Sequence, residues 1–66
     1  MEYYEIIIQG HIDQRREDWF AGLKITQLPE GKSLLAGEVA DQSALHGILN
    51  RIRDMGLQLL SVKRKN

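Results

Sequence analysis

Two groups of side chains in this sequence have the types and the spacing to bind an anion. In the first group, His11 stands beside the predicted start of a helix and is followed by Arg15 and Arg16. Free N–H groups at a helix start favour negative ligands, and guanidinium groups bind phosphate and carboxylate through paired hydrogen bonds. Asp13 competes with such a ligand, because its carboxylate is placed to cap the same N–H groups. The cluster is therefore a candidate ligand site, and an ordinary helix cap is the alternative.

The second group lies along a helix predicted for residues 41–56. His46, Asn50 and Arg53 follow one another at spacings of four and three, so a helix brings them to one flank of its apolar stripe. Gly47 lies on the far side, where glycine costs about 1 kcal/mol relative to alanine. These residues either contact a partner or an anion, with Gly47 admitting another backbone, or they form a solvated flank with a tolerated glycine.

Neither group amounts to a catalytic centre. No nucleophile, base and orienting residue stand together, and two histidines on different elements without a clustered third ligand do not define a metal site. Cysteine is absent, which excludes thiolate ligands, cysteine nucleophiles and disulfides and is compatible with a reducing cytoplasm. We therefore expect no catalytic residues, no metal and no cofactor, and a cytoplasmic protein.

Six elements must position these side chains. Apolar patterning with turn and cap residues predicts strands over 3–10, 24–28, 33–39 and 57–62, and helices over 13–21 and 41–56. The second helix has the clearest pattern, since Leu45, Ile48 and Ile52 lie on one face. The order βαββαβ predicts one α+β domain over residues 1–66, of the ferredoxin-like class, with a four-stranded antiparallel sheet and both helices on one face.

That architecture leaves the other face of the sheet open. Successive side chains of a strand point to opposite faces, so we expect the open face to carry some of four apolar residues: Tyr3, Ile7, Leu60 and Val62. An exposed apolar group on a small sheet is typical of a self-association surface. A chain of 66 residues also buries only roughly 60 % of its unfolded surface, which favours oligomerisation. We therefore expect a homodimer with these residues in its interface, and Gly47 as a further contact candidate.

The charge balance argues against other large partners. Lys plus Arg and Asp plus Glu both number 9, so the formal net charge is zero, unlike that of a protein that binds phosphate backbones. Lys63, Arg64 and Lys65 form a short basic run that is typical of a solubilising tail. No apolar run reaches the roughly 20 residues that span a bilayer, so we expect neither a membrane segment nor a signal peptide. The expected partner is a second copy or an unidentified protein.

The stretch DQSALHGILNRIRDMGLQLLSV, with GHID and WFAGL upstream, resembles a family of short, stand-alone, uncharacterised bacterial proteins. Its shared motifs are W-F-x-G-L, a D-Q-x-A-L-H-G helix and an R-x-R-D-x-G-L-x-L-L-S-V ending. Asp41, Gln42, His46 and Gly47 match the helix signature. The resemblance directs attention to this helix surface and implies no activity.

A second likeness is to acylphosphatases, which are also ferredoxin-like and carry V-Q-G-x-x-F-R and N-L-P-D-G segments. This chain has IQGHIDQRR and TQLPEG, so Gln9 and Gly10 match. Gln14 stands at the position of the catalytic arginine, with Arg15 one residue later, and Gln27 replaces the asparagine. The sequence thus leaves three hypotheses: a non-enzymatic homodimeric interaction module, a small-ligand or anion-binding regulatory domain, and an acylphosphatase-like hydrolase.

Overall fold

The computed structural model describes residues 2–65, so the first and last residues of the predicted domain lie outside the described range. The elements in chain order are β1 (Glu2–Gln9), a first 3₁₀ segment (Gln14–Phe20), β2 (Lys24–Leu28), a second 3₁₀ segment (Pro29–Gly31), β3 (Lys32–Val39), α1 (Gln42–Asp54) and β4 (Gln58–Lys65).

The four strands form one antiparallel sheet in the order β2-β3-β1-β4. This confirms the prediction of a mixed α+β protein with a four-stranded antiparallel sheet. The strict βαββαβ order is not matched, because a 3₁₀ segment replaces the first α-helix and another separates β2 from β3.

The geometry of the first 3₁₀ segment explains why it is not an α-helix. A 3₁₀ helix has three residues per turn, so Gln14, Glu17 and Phe20 lie in one row. The Gln14 side chain donates to the Ile25 carbonyl at 3.3 Å, and Glu17 Oε2 accepts from the Ile25 N–H at 2.9 Å. Phe20 is fully buried. This one row thus contacts both β2 and the core. Trp19 lies outside the row and is 41 % exposed.

Helix α1 follows its prediction closely. The carboxylate of Asp41 accepts from the Ala44 N–H at 2.8 Å, which caps the helix start. Leu45, Ile48 and Ile52 are buried. They share one core cluster with Phe20 and with the inward-facing sheet residues, among them Tyr4, Ile6, Ile8, Ile25 and Leu35. The first 3₁₀ segment and α1 therefore cover the same face of the sheet.

Strand β4 is longer than predicted. The basic run that was predicted to be a frayed tail continues the pairing with β1 as far as Lys65. Arg64 Nη1 lies 3.1 Å from Glu2 Oε2, and Lys65 Nζ lies 3.8 Å from Glu5 Oε1. Exposed ion pairs of this kind contribute at most about 1 kcal/mol, and they add to the backbone hydrogen bonds of the strand.

A β-bulge interrupts the pairing of β1 with β4. Ile7 lies opposite Ser61, whereas Ile8 lies opposite Leu59, so Leu60 is an additional residue in β4. A bulge of this kind shifts strand alternation by one residue. The side chains of β4 therefore do not follow one continuous pattern of alternating faces: Leu59 and Val62, three residues apart, both lie on the helix side.

Candidate functional site

The predicted interface residues are divided between the two faces of the sheet. Tyr3 and Ile7 alternate with buried neighbours and lie on the open face, and Leu60 lines a depression beside Ile7. Val62 lies opposite Ile6, which is fully buried in the core, so Val62 is on the helix side. Its predicted place beside Leu60 is wrong, because the bulge reverses the alternation between them.

Apolar side chains gather at one end of the open face. Ile7 lies opposite Leu34 on β3, and Leu60 is 41 % exposed beside them. A shallow depression of about 500 Å³ lies here, lined by Ile7, Leu28, Pro29, Glu30, Lys32, Leu60 and Ser61. Within residues 2–65 the first 3₁₀ segment and α1 cover the opposite face, so this apolar area is free to contact a partner.

The other end of the open face carries charges of both signs. Glu5 lies opposite Lys63 and is paired with Lys65, while Glu38 on β3 lies opposite Tyr3. Lys24 adds a further cation on β2, where it lies opposite Ala36. The glutamates lie on the two central strands and the lysines on the two outer strands. Because both signs are present, a second copy can place its outer-strand lysines opposite the central glutamates.

The first anion cluster does not converge on one point. Arg15 is bound to Asp13, with Nε and Nη2 at 3.1 and 2.8 Å from Oδ2, and its N–H donates to Oδ1 at 2.8 Å. These hydrogen bonds from Arg15 lower the pKa of the Asp13 carboxyl from 3.8 to about 2. His11 lines a separate open depression of about 770 Å³ with Asp13, Gln14, Thr26 and Gln27. Arg15 and Arg16 line another on the far side of Asp13. The Asp13 carboxylate thus lies between His11 and the two arginines.

The second cluster is spread along α1. Asn50 and Arg53 line a groove between α1 and β4, and His46 is exposed one turn earlier without lining it. Gly47 is exposed, and a Cβ at this position would meet nothing within 4 Å. The structure thus gives no steric reason within the chain for this glycine.

Sequence reasoning missed a contact around Trp19. The Arg16 guanidinium carbon lies 5.2 Å from the centre of the Trp19 ring, and that of Arg51 lies 5.5 Å from it. Cation–π contacts at exposed sites contribute about 0.5–1 kcal/mol. They tie the first 3₁₀ segment to α1. The spacing of Arg16 and Trp19 gave a local hint, whereas the approach of Arg51 depends on the tertiary fold.

The positions that correspond to acylphosphatase residues are occupied by structural contacts. The Gln9 side chain donates to the Glu30 carbonyl at 2.9 Å, and Gln14 at the arginine position donates to Ile25. Across residues 2–65, no group of three His, Asp or Glu side chains is placed to hold a metal ion. The same range contains no helix that is both long enough and apolar enough to cross a membrane.

The chain was compared with known proteins. Residues 3–63 match the model of a protein family described as Domain of unknown function (DUF8691). The match covers nearly the whole chain. No curated protein and no solved structure matches it significantly, and the likeness to acylphosphatases is not confirmed.

Proposed function

The chain belongs to the family described as Domain of unknown function (DUF8691), and we propose that it acts as a small, non-enzymatic interaction module that forms a homodimer through its open sheet face. The observation that carries this proposal is the uncovered apolar depression around Ile7 and Leu60. Burying apolar surface contributes about 25 cal/mol per Å², so an uncovered group of this kind favours association.

The charges on the same face favour a second copy as the partner. Glu5 and Glu38 lie on the two central strands, and the two outer strands carry Lys24, Lys63 and Lys65. A patch of a single sign repels its own copy, whereas a mixed patch can complement itself. A typical stable interface buries about 800 Å² of each partner, a modest part of this chain's 4408 Å².

We propose a ferredoxin-like relationship for the fold as well. The strand order β2-β3-β1-β4 and the placement of the first 3₁₀ segment and α1 on one face support this relationship. The first 3₁₀ segment takes the place of one helix. The predicted cytoplasmic location and bacterial origin stay predictions.

The test is the mass of the protein in solution, measured by sedimentation or light scattering. Leu60→Glu and Ile7→Glu place a charge in the depression, and we expect each to convert a dimer into a monomer. Ser43→Glu on the exposed surface of α1 is the control and keeps the dimer. Circular dichroism checks that each variant is folded. A wild type that is monomeric at millimolar concentration, or a dimer unchanged by both sheet variants, contradicts the proposal.

A small-ligand role is the second candidate, and the depression beside His11 favours it. Thr26, Gln27 and His11 direct polar groups into this space, which is large enough for a small metabolite. Asp13 also lines it and carries a negative charge at neutral pH, so a neutral or cationic ligand fits better than an anion. Amide shifts confined to these residues during titration with a metabolite panel support this role, and their absence argues against it.

A further inference from the structure

Strand β4 is an edge strand that has a bulge at Leu60 and three basic residues at its end, and a neutral segment between its start and that basic end. It has eight residues, and it is hydrogen-bonded only to β1 within the described chain. Leu59, Leu60 and Val62 are 44, 41 and 36 % exposed. Residues 58–62 contain no charge and no proline. Natural proteins protect edges with charges, proline, β-bulges or very short strands. Of these devices, the neutral segment has the bulge at Leu60 but no charge and no proline, so its remaining backbone groups are a template for another strand.

The opposite edge of the sheet shows the contrast. Strand β2 has only five residues, begins with Lys24 and is followed at once by Pro29. The side chains of Gln14 and Glu17 also bind the backbone of Ile25 in this strand. The β2 edge is therefore protected along its whole length, whereas the neutral segment of the β4 edge is protected only by the bulge at Leu60.

We propose that the outer edge of β4 pairs with β4 of a second copy of this chain, antiparallel about a two-fold axis, so that the two four-stranded sheets become one sheet of eight strands. This contact goes beyond the proposed dimer through the open face, because it uses a different surface. If both contacts form, the assembly is larger than a dimer.

The charge distribution along β4 favours this partner and this direction. Lys63, Arg64 and Lys65 follow a neutral segment, so a parallel copy would set three cations against three. Like charges directly opposite each other destabilise strand pairs. In an antiparallel pair, residues 58–62 of one copy lie opposite residues 58–62 of the other. The basic residues 63–65 of the two copies then lie at opposite ends of the paired segment. Arg64 and Lys65 are also paired with Glu2 and Glu5 inside each subunit, which reduces the remaining repulsion.

The surface beside the edge supplies further contact area. A groove of about 510 Å³ lies between α1 and β4, with Leu49, Leu57 and Leu59 in its lining. Leu59 and Val62 are both exposed on the helix side of β4. A strand pair alone buries less than the roughly 800 Å² per partner of a standard interface. With the groove included, the copies also bury leucine and valine side chains across the seam.

The test compares the mass of the wild type with that of one variant for each surface. Val62→Lys places a charge on the edge and on the helix side, and Ile7→Glu places one on the open face. The double variant carries both changes, and Ser43→Glu is the control. If the edge pairs, Val62→Lys halves the mass at a fixed concentration, while circular dichroism shows an intact fold.

Backbone hydrogen exchange gives a second readout that does not depend on a substitution. Outward-facing amides of β4 gain protection by at least tenfold as the wild type is concentrated, and those of β2 do not change. Val62→Lys abolishes that gain.

The two proposals fail in different ways. Loss of mass with Val62→Lys alone supports the edge and contradicts the open-face dimer. Loss with Ile7→Glu alone, with no change in β4 protection, overturns the edge proposal and leaves the open face. A halving by each single variant and a monomer in the double variant supports both. A monomeric wild type without concentration-dependent protection overturns both.

Discussion

Two serine hydroxyls in this protein are buried in opposite hydrogen-bonding states. Ser33 Oγ donates to the Gly10 carbonyl at 2.6 Å and accepts from the Ile12 N–H at 3.3 Å, which fixes the chain where it leaves β1. Ser61 Oγ is buried with no hydrogen-bond partner among residues 2–65. The hydroxyl of Ser33 therefore adds hydrogen bonds that stabilise the fold, whereas that of Ser61 adds none.

Substitution of each serine by alanine measures that difference. Ser33→Ala leaves a buried carbonyl and a buried N–H without their partner, so we expect it to lower the free energy of unfolding by about 1–3 kcal/mol. Ser61→Ala removes a hydroxyl that makes no bond, and we expect a change of less than about 0.5 kcal/mol or a gain. Urea denaturation at one protein concentration measures both. Equal losses would contradict the assignment of the two hydroxyls.

Asp13 provides a pH-dependent contact at the start of the first 3₁₀ segment. Its pKa is lowered to about 2 by hydrogen bonds from Arg15, so its folded-state value lies below its unfolded value. The sign follows: the contact stabilises the fold above pH 4, and this contribution is lost as the pH falls from about 4 to about 2. We expect NMR titration of the carboxyl to give a pKa near 2 in the wild type and a higher one in Arg15→Ala. An unchanged titration in the variant would exclude the side-chain hydrogen bonds as the main cause.

The elements that the sequence predicts well are those whose determinants are local. Helix α1 has a cap at Asp41, an apolar stripe and a terminal glycine, all within 16 residues, and the structure follows them. The first helix was predicted as α because Trp19 and Phe20 suit that period. Its actual form depends on two hydrogen bonds with the backbone of Ile25 in β2: Gln14 donates to the carbonyl and Glu17 accepts from the N–H. A local sequence pattern does not reveal these contacts.

The candidate surfaces were less predictable for the same reason. Tyr3 and Ile7 were assigned to the open face by alternation along β1, which is regular. The same rule assigns Leu60 correctly, because the alternation of β4 breaks only after this residue. The bulge at Leu60 arises from pairing with β1, so the phase of Val62 could not be predicted from β4 alone. The basic run likewise gives no sign that Arg64 and Lys65 pair with Glu2 and Glu5, because these glutamates are about 60 residues away in the sequence.

Gly47 tests whether the exposed side of α1 contacts a partner. A Cβ at this position meets no atom of the chain within 4 Å, so Gly47→Ala should gain about 1 kcal/mol of helix propensity. Gly56 is the matched control, since it also has open space but has φ +73°. Gly56→Ala should lose about 1 kcal/mol or more through backbone strain. Thermal unfolding measures both variants. A smaller assembly in Gly47→Ala would instead make this glycine a contact between copies.

At the scale of the whole molecule, stability and assembly are linked. A chain of 66 residues has a thin core, and this fold leaves Tyr3, Leu59, Leu60 and Val62 exposed on its sheet. Domains of this size have little stability to spare as monomers. The proposed association would supply burial that the single chain does not achieve.

That linkage predicts a thermal midpoint that rises with protein concentration. Association stabilises only the folded chain, and an excess of partner of 100 times the dissociation constant adds about 2.7 kcal/mol to the free energy of unfolding. For a domain of this size, each 1 kcal/mol shifts the midpoint by about 4–8 °C. We expect scanning calorimetry from micromolar to millimolar concentration to show an upward shift for the wild type. The double variant Ile7→Glu with Val62→Lys should unfold at one midpoint throughout that range, since charges then block both surfaces. A wild-type midpoint that is independent of concentration would mean that the exposed sheet residues do not join copies of this chain.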